Sequence, residues 1–345
     1  MIQEALHSLS VGQNLTMEEA SALMEQLMSG AATNAQIGAL LMALRIKGET
    51  VQEVAGFARA MRHHSVKVSA HRTPLLDTCG TGGGRHKVFN ISTAAAFVAC
   101  TAGMAVAKHG NRAASGVCGS ADVLEALGVN VQISADQCAE CIDTIGIGFL
   151  FARSHHPAMK HVSAARKEVG IRTVFNLLGP LTNPAGAQLQ VMGVYDDALC
   201  PLIAGALHEL GCSRAIVIHS DPGTDELSTY SRNRVCELEN GQITDYRCLP
   251  EELGVTGATP NPAWMAPAPT PSENAAILRQ ALGEGQATEI AAARRSIVAL
   301  NAAAALRAGG LADSWPAAYQ QASAIIESGA ALSVVDRLAT LTSAF

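Results

Sequence analysis

The chain has 345 residues, of which 48% are apolar, 16% charged and 4% aromatic, and its formal net charge is −6. That apolar content supports a large buried core and excludes a mainly disordered chain. The negative net charge argues against a nucleic-acid-binding protein that depends on overall positive charge. At roughly 150 residues per domain, the length predicts two domains or one large α/β domain.

The N-terminus and the cysteines indicate the compartment. The first residues, MIQEALHSLSVGQNL, lack the basic and apolar regions of an export signal. The weakly polar stretch at 94–107 is too short to cross a membrane. Nine scattered cysteines are expected to be free thiols. The pair Cys138 and Cys141 has no partner pair, so we expect no metal or redox role for it. We expect a cytoplasmic protein.

Residues 1–65 have the pattern of helices throughout. Thr16 with Glu19, and Thr50 with Glu53, have the spacing of capping boxes that open two helices. Between them, residues 35–49 place apolar side chains at helical spacing. The segment carries no clustered catalytic side chains, so it predicts a module for helical packing or dimerisation.

From residue 74 onward, strand-like and helical patterns alternate. A helix of small residues is predicted over 92–103, and alanine-rich helices close the chain. The alternation predicts a mostly parallel sheet flanked by helices. The proline-rich segment 259–272 predicts a surface connection. The predicted strands are residues 75–78, 104–107, 129–131, 189–194 and 214–219.

A glycine cluster lies between the first predicted strand and the next helix. Glycines allow backbone N–H groups to approach an anion closely, and a helix N-terminus adds positive potential. The cluster matches neither a P-loop nor a dinucleotide fingerprint, so a phosphate site and a simple tight turn both stay open. Asn90, Ser92 and Thr93 follow it, either as helix caps or as ligand contacts. The cluster comprises Gly80, Thr81, Gly82, Gly83 and Gly84.

A basic cluster at residues 108–112 follows the second predicted strand. Loops at the carboxyl ends of strands bind ligands in open α/β sheets. Lys108, His109, Asn111 and Arg112 suit an anionic ligand, although a solvated basic turn has the same composition. Ser120 is predicted to cap the helix that follows.

A second basic run precedes residues 175–184. Arginine is the side chain that holds a carboxylate with two hydrogen bonds. The histidines lack an acidic partner at metal-site spacing, so we do not expect zinc. The run comprises His155, His156, Lys160, His161, Arg166 and Arg172.

Two adjacent carboxylates, Asp225 and Glu226, follow the last predicted strand. Magnesium takes one or two protein carboxylates together with water and substrate phosphates. The pair therefore predicts a Mg²⁺ site, with an acidic pair at a helix start as the alternative.

Together, these clusters in this order resemble the anthranilate phosphoribosyltransferase family over nearly the whole chain. The resemblance is specific because six signatures occur in sequence. They are residues 33–39 with 47–50, and then 108–112, 119–128, 146–152, 172–184 and 225–228.

The resemblance implies a small N-terminal all-helical domain and a larger α/β domain with a mixed, mostly parallel sheet, of the nucleoside phosphorylase and phosphoribosyltransferase type. We place the domains at 1–70, joined by a helical segment near 165–190, and at 71–345. It also implies a homodimer through the helical domains. The reaction would transfer phosphoribosyl from phosphoribosyl pyrophosphate (PRPP), with Mg²⁺, to the amine of anthranilate and release pyrophosphate.

The resemblance also assigns site residues. Lys108 and Arg166 would be the catalytic residues. Residues that would bind PRPP are Gly80, Thr81, Gly82, Gly83, Gly84, Asn90, Ser92, Thr93, Lys108 and Ser120. Residues that would bind anthranilate are Gly80, His109, Asn111, His156 and Arg166. Residues that would serve the metal are Ser92, Asp225 and Glu226. An aromatic amine is neutral at pH 7, so positioning and stabilisation of the leaving group can suffice without a strong base.

The chain departs from the family pattern at the site. The family has Asp, Gly and Thr where this chain has Gly84, Arg85 and Val88, and Val88 cannot donate a hydrogen bond to phosphate. Arg85, His86 and Lys87 either offset the lost contacts or form a solvated loop tip. Further departures are Val117 and Cys118, where the family has a basic residue and Ser, and Arg153 and Ala164, where it has Pro.

These departures leave other functions open. Residues 81–83 with Lys87 and Val88 are also similar to the phosphate loop of pyrimidine nucleoside phosphorylases, in which the Lys faces phosphate. The alternatives are a paralogue with another aromatic acceptor or with phosphorolysis activity, and a binding protein without catalysis. Cys118 is either a thiol activated beside a phosphate site or a buried inert one.

Overall fold

The structure is a computed structural model, and it describes residues 2–113, 118–221, 223–257, 260–286 and 288–345. The chain begins with four helices, in agreement with the helical pattern predicted for residues 1–65. Capping boxes at Thr16 and Thr50 open the second and fourth helices, and Thr33 forms a further box with Gln36. The helices are α1 (Ile2–Ser10), α2 (Met17–Met28), α3 (Asn34–Lys47) and α4 (Val51–His63).

A seven-stranded mixed sheet forms the centre of the remaining chain. Its order is β3-β2-β1-β4-β5-β6-β7; the first five strands are parallel, and β6 and β7 pair antiparallel. The mostly parallel mixed sheet predicted above is confirmed. The strands are β1 (Leu75–Gly80), β2 (Ala105–Gly110), β3 (Ile147–Phe151), β4 (Leu189–Gly193), β5 (Arg214–Ser220), β6 (Asn233–Glu239) and β7 (Gln242–Cys248).

Helices separate most of the strands and close the chain. Those up to the fifth strand are α5 (Ile91–Thr101), α6 (Ser120–Ala126), α7 (Ala135–Ile145), α8 (Ala152–His155), α9 (Lys160–Val169), α10 (Phe175–Leu181) and α11 (Leu199–Glu209). The last four are α12 (Pro271–Ala281), α13 (Glu289–Ala308), α14 (Trp315–Glu327) and α15 (Ala330–Ser343). No helix among the described residues is long and apolar enough to span a bilayer.

The predicted strand at 129–131 is wrong. Val129 and Val131 are buried, which explains the strand-like alternation, but they lie in irregular chain between α6 and α7 and pair with no strand. Conversely, β3 was not predicted as a strand, although all five of its residues are buried. A short apolar run does not by itself distinguish a strand from other buried chain.

The proline-rich segment was predicted as a surface connection only, and this is incomplete. Residues 258 and 259 lie outside the described part. Beyond them, Pro262–Met265 forms a short 3₁₀ helix in which Met265 is fully buried. The Met265 carbonyl accepts a hydrogen bond of 2.9 Å from the Phe89 N–H. The segment therefore also supports the chain just after the glycine cluster.

Two apolar cores lie on the two sides of the sheet. One contains α5, α13 and the other C-terminal helices. The second contains α1–α4 together with apolar residues of α9, α10 and α11. Within it, α9 packs against α2 and α3, α10 packs against α4, and Arg62 on α4 donates to the Leu181 carbonyl at 2.7 Å. Helices distant in sequence therefore complete the packing of the N-terminal helices.

Candidate active site

A cleft of about 650 Å³ opens beside the carboxyl ends of β1 and β2. These are the ends at which open α/β sheets bind ligands. The glycine cluster, the basic cluster and the acidic pair all contribute to its wall. The predicted site residues that line it are Gly80, Thr81, Gly82, Gly83, Gly84, Asn90, Ser92, Thr93, Lys108, His109, Asn111, Ser120, Asp225 and Glu226.

The glycine loop has a backbone that requires glycine at two positions. Gly82 and Gly83 have φ of +65° and +80°, values that side chains disfavour. The loop is anchored where Thr81 N–H donates to the Gly193 carbonyl at 2.9 Å. The loop is thus a tight turn fixed at the cleft wall.

Asp225 is packed tightly against this loop. One of its carboxylate oxygens accepts a hydrogen bond of 2.8 Å from the Gly82 N–H. A Cβ at Gly80 would lie 2.7 Å from the same oxygen, and a Cβ at Gly84 would lie 3.3 Å from the other one. Small residues in the loop therefore make room for the carboxylate.

Lys108 lies at the end of β2 and is buried. Its ammonium group donates to the Thr78 carbonyl. Burial lowers the pKa of Lys108, while the nearby carboxylates of Asp77 and Glu226 oppose that change. The side chain thus brings a cation to a wall of the cleft that also carries acidic groups.

Asp77 and Asn183 form hydrogen bonds with the strand that carries the basic cluster, and neither was predicted as a site residue. Asp77 is fully buried and accepts hydrogen bonds from His109 N–H at 3.1 Å and from the Asn183 amide at 2.8 Å. Burial raises the pKa of Asp77 to about 6, against the opposing effect of Lys108. An aspartate inside an apolar strand was the available signal, because a buried charge requires partners.

The acidic pair provides oxygen ligands at the cleft wall. Asp225 and Glu226 do not start a helix, so that alternative is wrong. Glu226 accepts from the Ser92 N–H at 3.2 Å, and burial together with the neighbouring Asp225 raises the pKa of Glu226 to about 8. A divalent cation would offset the repulsion between these carboxylates. The oxygen-only donor set fits Mg²⁺.

No cluster of three His, Cys, Asp or Glu side chains that could hold a metal occurs in the described part of the chain. A magnesium ion bound by Asp225 and Glu226 would therefore take further ligands from substrate oxygens and water. This is the usual arrangement for magnesium that enters a site with a phosphorylated substrate.

Two capping predictions change in the structure. Ser120 is the first residue of α6, Gly119 is its N-cap, and the Asp122 carboxylate accepts from the Gly119 N–H at 2.8 Å. Asn90 is the N-cap of α5, but its side chain donates to the Cys118 carbonyl at 3.2 Å and caps nothing. Both polar side chains thus face the cleft without the helix-capping role expected of them.

The predicted acceptor residues are only partly brought together. His109 and Asn111 line the cleft, whereas His156 and Arg166 do not. The His156 ring lies behind His109, with ring centroids 5.1 Å apart, and burial lowers the pKa of both imidazoles, that of His156 to about 4. The buried Nε2 atoms of both rings have no hydrogen-bond partner among the described residues.

Arg166 lies on α9 outside the cleft wall. Its guanidinium carbon is 4.8 Å from the centre of the Phe175 ring, and the residue is only partly exposed. The Arg166 guanidinium, in the last turn of α9, is therefore not part of the cleft wall.

The residues that depart from the family pattern have different positions. His86, Lys87, Val88 and Cys118 line the cleft. Arg85 does not; its N–H donates to the Gly223 carbonyl at 2.8 Å, and a Cβ added at Gly223 would lie 3.4 Å from the Arg85 side chain. Arg153 and Ala164 are exposed and away from the cleft, and Val117 lies outside the described residues.

Cys118 has the environment of an unreactive thiol. Its side chain is partly buried, and burial together with Asp122 raises the pKa of the Cys118 thiol to about 11. A thiolate is the reactive form of cysteine, and this environment disfavours it.

Several further residues of the cleft wall were missed as site residues, among them Arg172, Asn176 and Tyr195. Arg172 donates to the Gly83 carbonyl, and its guanidinium carbon is 4.3 Å from the centre of the Tyr195 ring. Arg172 was recognised only as part of a basic run. Nothing in the sequence near Tyr195 marked that residue.

The chain is similar to known proteins over nearly its whole length. The glycosyl transferase family model for the helical bundle domain matches residues 3–65, and the model for the a/b domain matches residues 72–332. The anthranilate phosphoribosyltransferase of Methylococcus capsulatus is 46% identical over 344 residues, covering 100% of this chain and 98% of that protein. The one from Pelotomaculum thermopropionicum is 48% identical over 342 residues, covering 99% and 97%.

Solved structures extend the similarity to the fold. Anthranilate phosphoribosyltransferase from Thermus thermophilus has a TM-score of 0.90 at 42% identity, covering 98% of this chain and 99% of that one. The Saccharomyces cerevisiae enzyme, solved in complex with PRPP and Mg, has a TM-score of 0.87 at 25% identity, covering 100% and 98%. The resemblance drawn from the six signatures is confirmed, and the chain belongs to the anthranilate phosphoribosyltransferase family.

Proposed function

We propose that this protein transfers the phosphoribosyl group of PRPP to the amine of anthranilate and releases pyrophosphate, a step of tryptophan biosynthesis. The observation that carries the proposal is the cleft that joins the glycine loop, Lys108 and the Asp225–Glu226 pair. A phosphate-binding backbone, a cation and a magnesium-binding pair are the parts that a pyrophosphate leaving group requires.

The donor would bind along the β1 side of the cleft. Gly80 to Gly84 would surround the diphosphate, with the Gly83 and Gly84 N–H groups as its backbone donors because those of Thr81 and Gly82 already donate to Gly193 and Asp225, and Lys108 offers a buried positive charge. Asn90, Ser92, Thr93 and Ser120 offer side-chain hydrogen bonds from the starts of α5 and α6. Asp225, Glu226 and Ser92 would hold Mg²⁺, which when bound neutralises charge on the departing pyrophosphate.

Anthranilate would bind next to the donor, and Gly80 would contact both substrates. Gly80, His109 and Asn111 line that part of the cleft, with His156 behind His109. Arg166 would hold the carboxylate. Asp77 accepts a hydrogen bond from the His109 N–H. In this way it would fix the position of His109, a proposed acceptor residue, relative to Lys108.

Catalysis would depend on positioning. The amine of anthranilate is already neutral at pH 7, so it needs no strong base before it attacks the anomeric carbon. Holding two reactants in line, together with charge stabilisation at the leaving group, supplies large rate factors without a nucleophilic side chain. No step requires a covalent intermediate with the protein.

The direct test is turnover. Purified protein with PRPP, Mg²⁺ and anthranilate should lose the fluorescence of anthranilate and release pyrophosphate in equal amounts. Omission of Mg²⁺ should suppress both signals. No turnover in a protein that still binds PRPP would contradict the proposal, and it would indicate a site adapted to another acceptor.

A second candidate function is phosphorolysis of a nucleoside, or transfer to another aromatic acceptor. It is motivated by Lys87 and Val88, which line the cleft where the family has other residues. Phosphate-dependent release of a base from a nucleoside, without turnover of PRPP, would favour this alternative. The non-catalytic alternative would require that the protein bind PRPP without turnover of any acceptor.

We also propose the organisation implied by the family. The helical domain comprises residues 1–70 with the packed segment near 165–190, and the α/β domain comprises 71–345. A homodimer through the helical domains is supported by an apolar face of α3, on which Met42 is 36% and Ile46 79% exposed. The cytoplasm fits an enzyme of amino-acid biosynthesis.

A further inference from the structure

The segment that carries the acidic pair lies against the end of β4. A Cβ at Gly193 would lie 1.7 Å from the Asp225 carbonyl oxygen, so only glycine fits at that position. The Asp225 carboxylate accepts a hydrogen bond of 2.8 Å from the Gly82 N–H. Asp225 therefore contacts β4 through its main chain and the glycine loop through its side chain.

Buried hydroxyl groups hold the main chain of the second carboxylate residue. The Ser220 hydroxyl, at the end of β5, donates to the Glu226 carbonyl at 2.8 Å. The Thr224 hydroxyl lies 2.6 Å from the Ser220 hydroxyl and 3.3 Å from the same carbonyl. Both side chains are buried, so the Glu226 carbonyl is fixed from within the protein.

A buried asparagine on α13 holds the next residue, Leu227. The Asn301 amide oxygen accepts from the Leu227 N–H at 2.9 Å, and its amide nitrogen donates to the Leu227 carbonyl at 2.9 Å. The same amide nitrogen donates to the Ile297 carbonyl, one turn earlier on α13, at 2.9 Å. One side chain thus pairs with both polar backbone groups of the residue that follows Glu226.

A second buried asparagine repeats this pattern one residue later. The Asn233 amide oxygen accepts from the Ser228 N–H at 2.8 Å, and its amide nitrogen donates to the Ser228 carbonyl at 3.0 Å. Leu227 and Ser228 are buried but belong to no helix or strand. Buried backbone groups require partners, and here two side chains supply them in place of a regular hydrogen-bond ladder.

The two asparagines act on the cleft only through the main chain. Asp225 and Glu226 line the cleft, whereas neither Asn301 nor Asn233 is among the described residues of its wall. Adjacent carboxylates repel each other, so a flexible segment would let them separate before a cation arrives. A backbone fixed on both sides keeps their oxygens where one cation can contact both.

We propose that Asn301 and Asn233 are positioning residues for the acidic pair. By fixing the main chain at Leu227 and Ser228, they set the affinity with which Asp225 and Glu226 bind Mg²⁺ together with a diphosphate. Groups that orient metal ligands typically contribute about ten- to hundredfold to metal affinity. The inference rests on the proposed function, because it takes the acidic pair as the magnesium site.

The affinity is measured without turnover, with pyrophosphate as the probe. Isothermal titration calorimetry gives the Kd of pyrophosphate with and without saturating Mg²⁺, and the ratio of the two values is the gain from magnesium. In Asn301→Ala this gain should fall about tenfold, because Leu227 loses both partners and the acidic pair is no longer fixed. The Kd without Mg²⁺ should stay within about threefold of the wild-type value, since no cleft residue is changed.

The chain offers a closely matched control in Asn274. Its amide oxygen accepts from the Ala268 N–H at 3.0 Å, and its amide nitrogen donates to the carbonyls of Ala268 and Thr270 at 2.8 and 2.7 Å. Asn274 is as buried as Asn301, but it holds the segment before α12. Asn274→Ala should therefore keep the wild-type gain from magnesium.

Asn233→Ala is the second variant, and it should reduce the gain in the same way as Asn301→Ala. Circular dichroism melts establish that each variant is folded at the temperature of the titration. Turnover adds a further readout, because the Mg²⁺ concentration for half-maximal rate should rise about tenfold in Asn301→Ala. Excess Mg²⁺ should then restore most of the rate, which would not occur if the substitution had simply unfolded the protein.

An unchanged gain from magnesium in both Asn301→Ala and Asn233→Ala would overturn the inference. An equal loss in Asn274→Ala would also overturn it, because the effect would then reflect general destabilisation. A wild type whose pyrophosphate affinity is independent of Mg²⁺ would overturn it as well. A wild type that shows the gain but does not turn over PRPP and anthranilate would refute the proposed function and leave the role of the asparagines intact.

Discussion

At the scale of single residues, the departures in the glycine loop differ in their contacts. Lys87 and Val88 line the cleft, whereas Arg85 does not and is held through its N–H to the Gly223 carbonyl. Of the cations that the loop gains, Lys87 is therefore positioned to offset the hydrogen bond that a threonine at Val88 would make. A hydrogen bond to a charged group contributes about 1.5–3 kcal/mol, or roughly ten- to hundredfold in binding.

We expect Lys87→Met to raise the KM for PRPP about tenfold, with a smaller dependence on salt, because a cation facing phosphate is lost. Arg85→Met is the matched control and should leave this KM close to that of the wild type. Initial rates at varied PRPP and ionic strength make the comparison. Equal effects of the two substitutions would instead indicate a solvated loop tip.

A second residue-scale prediction concerns Glu226, whose pKa is raised from 4.5 to about 8. An acid with a higher pKa in the folded chain binds its proton more tightly there. Its contribution to stability is therefore most favourable below pH 4.5 and is lost as the pH rises toward 8. This rise in the pKa of Glu226 corresponds to a change of at most roughly 5 kcal/mol in the free energy of unfolding.

In the metal-free protein, Glu226→Gln should consequently make the free energy of unfolding less dependent on pH between about 4.5 and 8. Urea unfolding at several pH values between about 5 and 8, followed by tryptophan fluorescence, measures the effect. Glu168→Gln, an exposed acid on α9, should retain the wild-type slope. Parallel pH dependences for Glu226→Gln and the wild type would rule out this role for Glu226. The same substitution should reduce turnover, since it removes a proposed magnesium ligand.

At the scale of elements, α3 presents different residues on its two faces. Ile37, Leu40, Leu41 and Leu44 are buried in the core of the N-terminal helices. Met42 and Ile46 lie on the exposed face. Burial of such side chains in a homodimer would contribute on the order of 1.5–3 kcal/mol for each fully buried residue.

Ile46→Glu should therefore shift the protein from dimer to monomer, because the interface would have to bury a charge. Light scattering after size-exclusion chromatography reports the mass directly. Leu249→Glu is the control, a comparable substitution at an exposed leucine just after β7. A dimer that persists in Ile46→Glu at low micromolar concentration would place the interface elsewhere.

Elements also differ in how well the sequence predicted them. The capping boxes of α2 and α4, and strands β1, β2, β4 and β5, were located to within a few residues, because their signals lie within one segment. The strand at 129–131 was wrong, and β3 was not recognised as a strand. Burial by distant helices produces the same apolar pattern in both segments, so only pairing with a neighbouring strand distinguishes them.

At the scale of the whole molecule, the two proposed substrates would contact segments that pack in different apolar cores. The glycine loop joins β1 to α5, whose apolar residues lie in one core, while α9 packs with the N-terminal helices in the other. The proposed acceptor residue Arg166 therefore lies on a helix that packs with the N-terminal helices, not with the core below the glycine loop.

Arg166→Ala should raise the KM for anthranilate far more than the KM for PRPP, because Arg166 would contact only the acceptor carboxylate. Loss of one charge-assisted contact predicts an increase of roughly ten- to hundredfold for the acceptor. Steady-state kinetics with each substrate varied in turn gives the two values. Equal increases for both substrates would sink the assignment of Arg166 to the acceptor.

The sequence by itself determined the family, the mixed α/β fold and most of the residues around the cleft. These depend on local patterns, in which a strand end, a glycine loop and a helix start are neighbours in the chain. Only the tertiary structure decided that Asp77 is held by Asn183, 106 residues away, and that Arg172 reaches Gly83, 89 residues away. It also decided that His156 and Arg166 lie behind the cleft wall. Contacts of this kind arise when separate cores pack together, and no local pattern encodes their geometry.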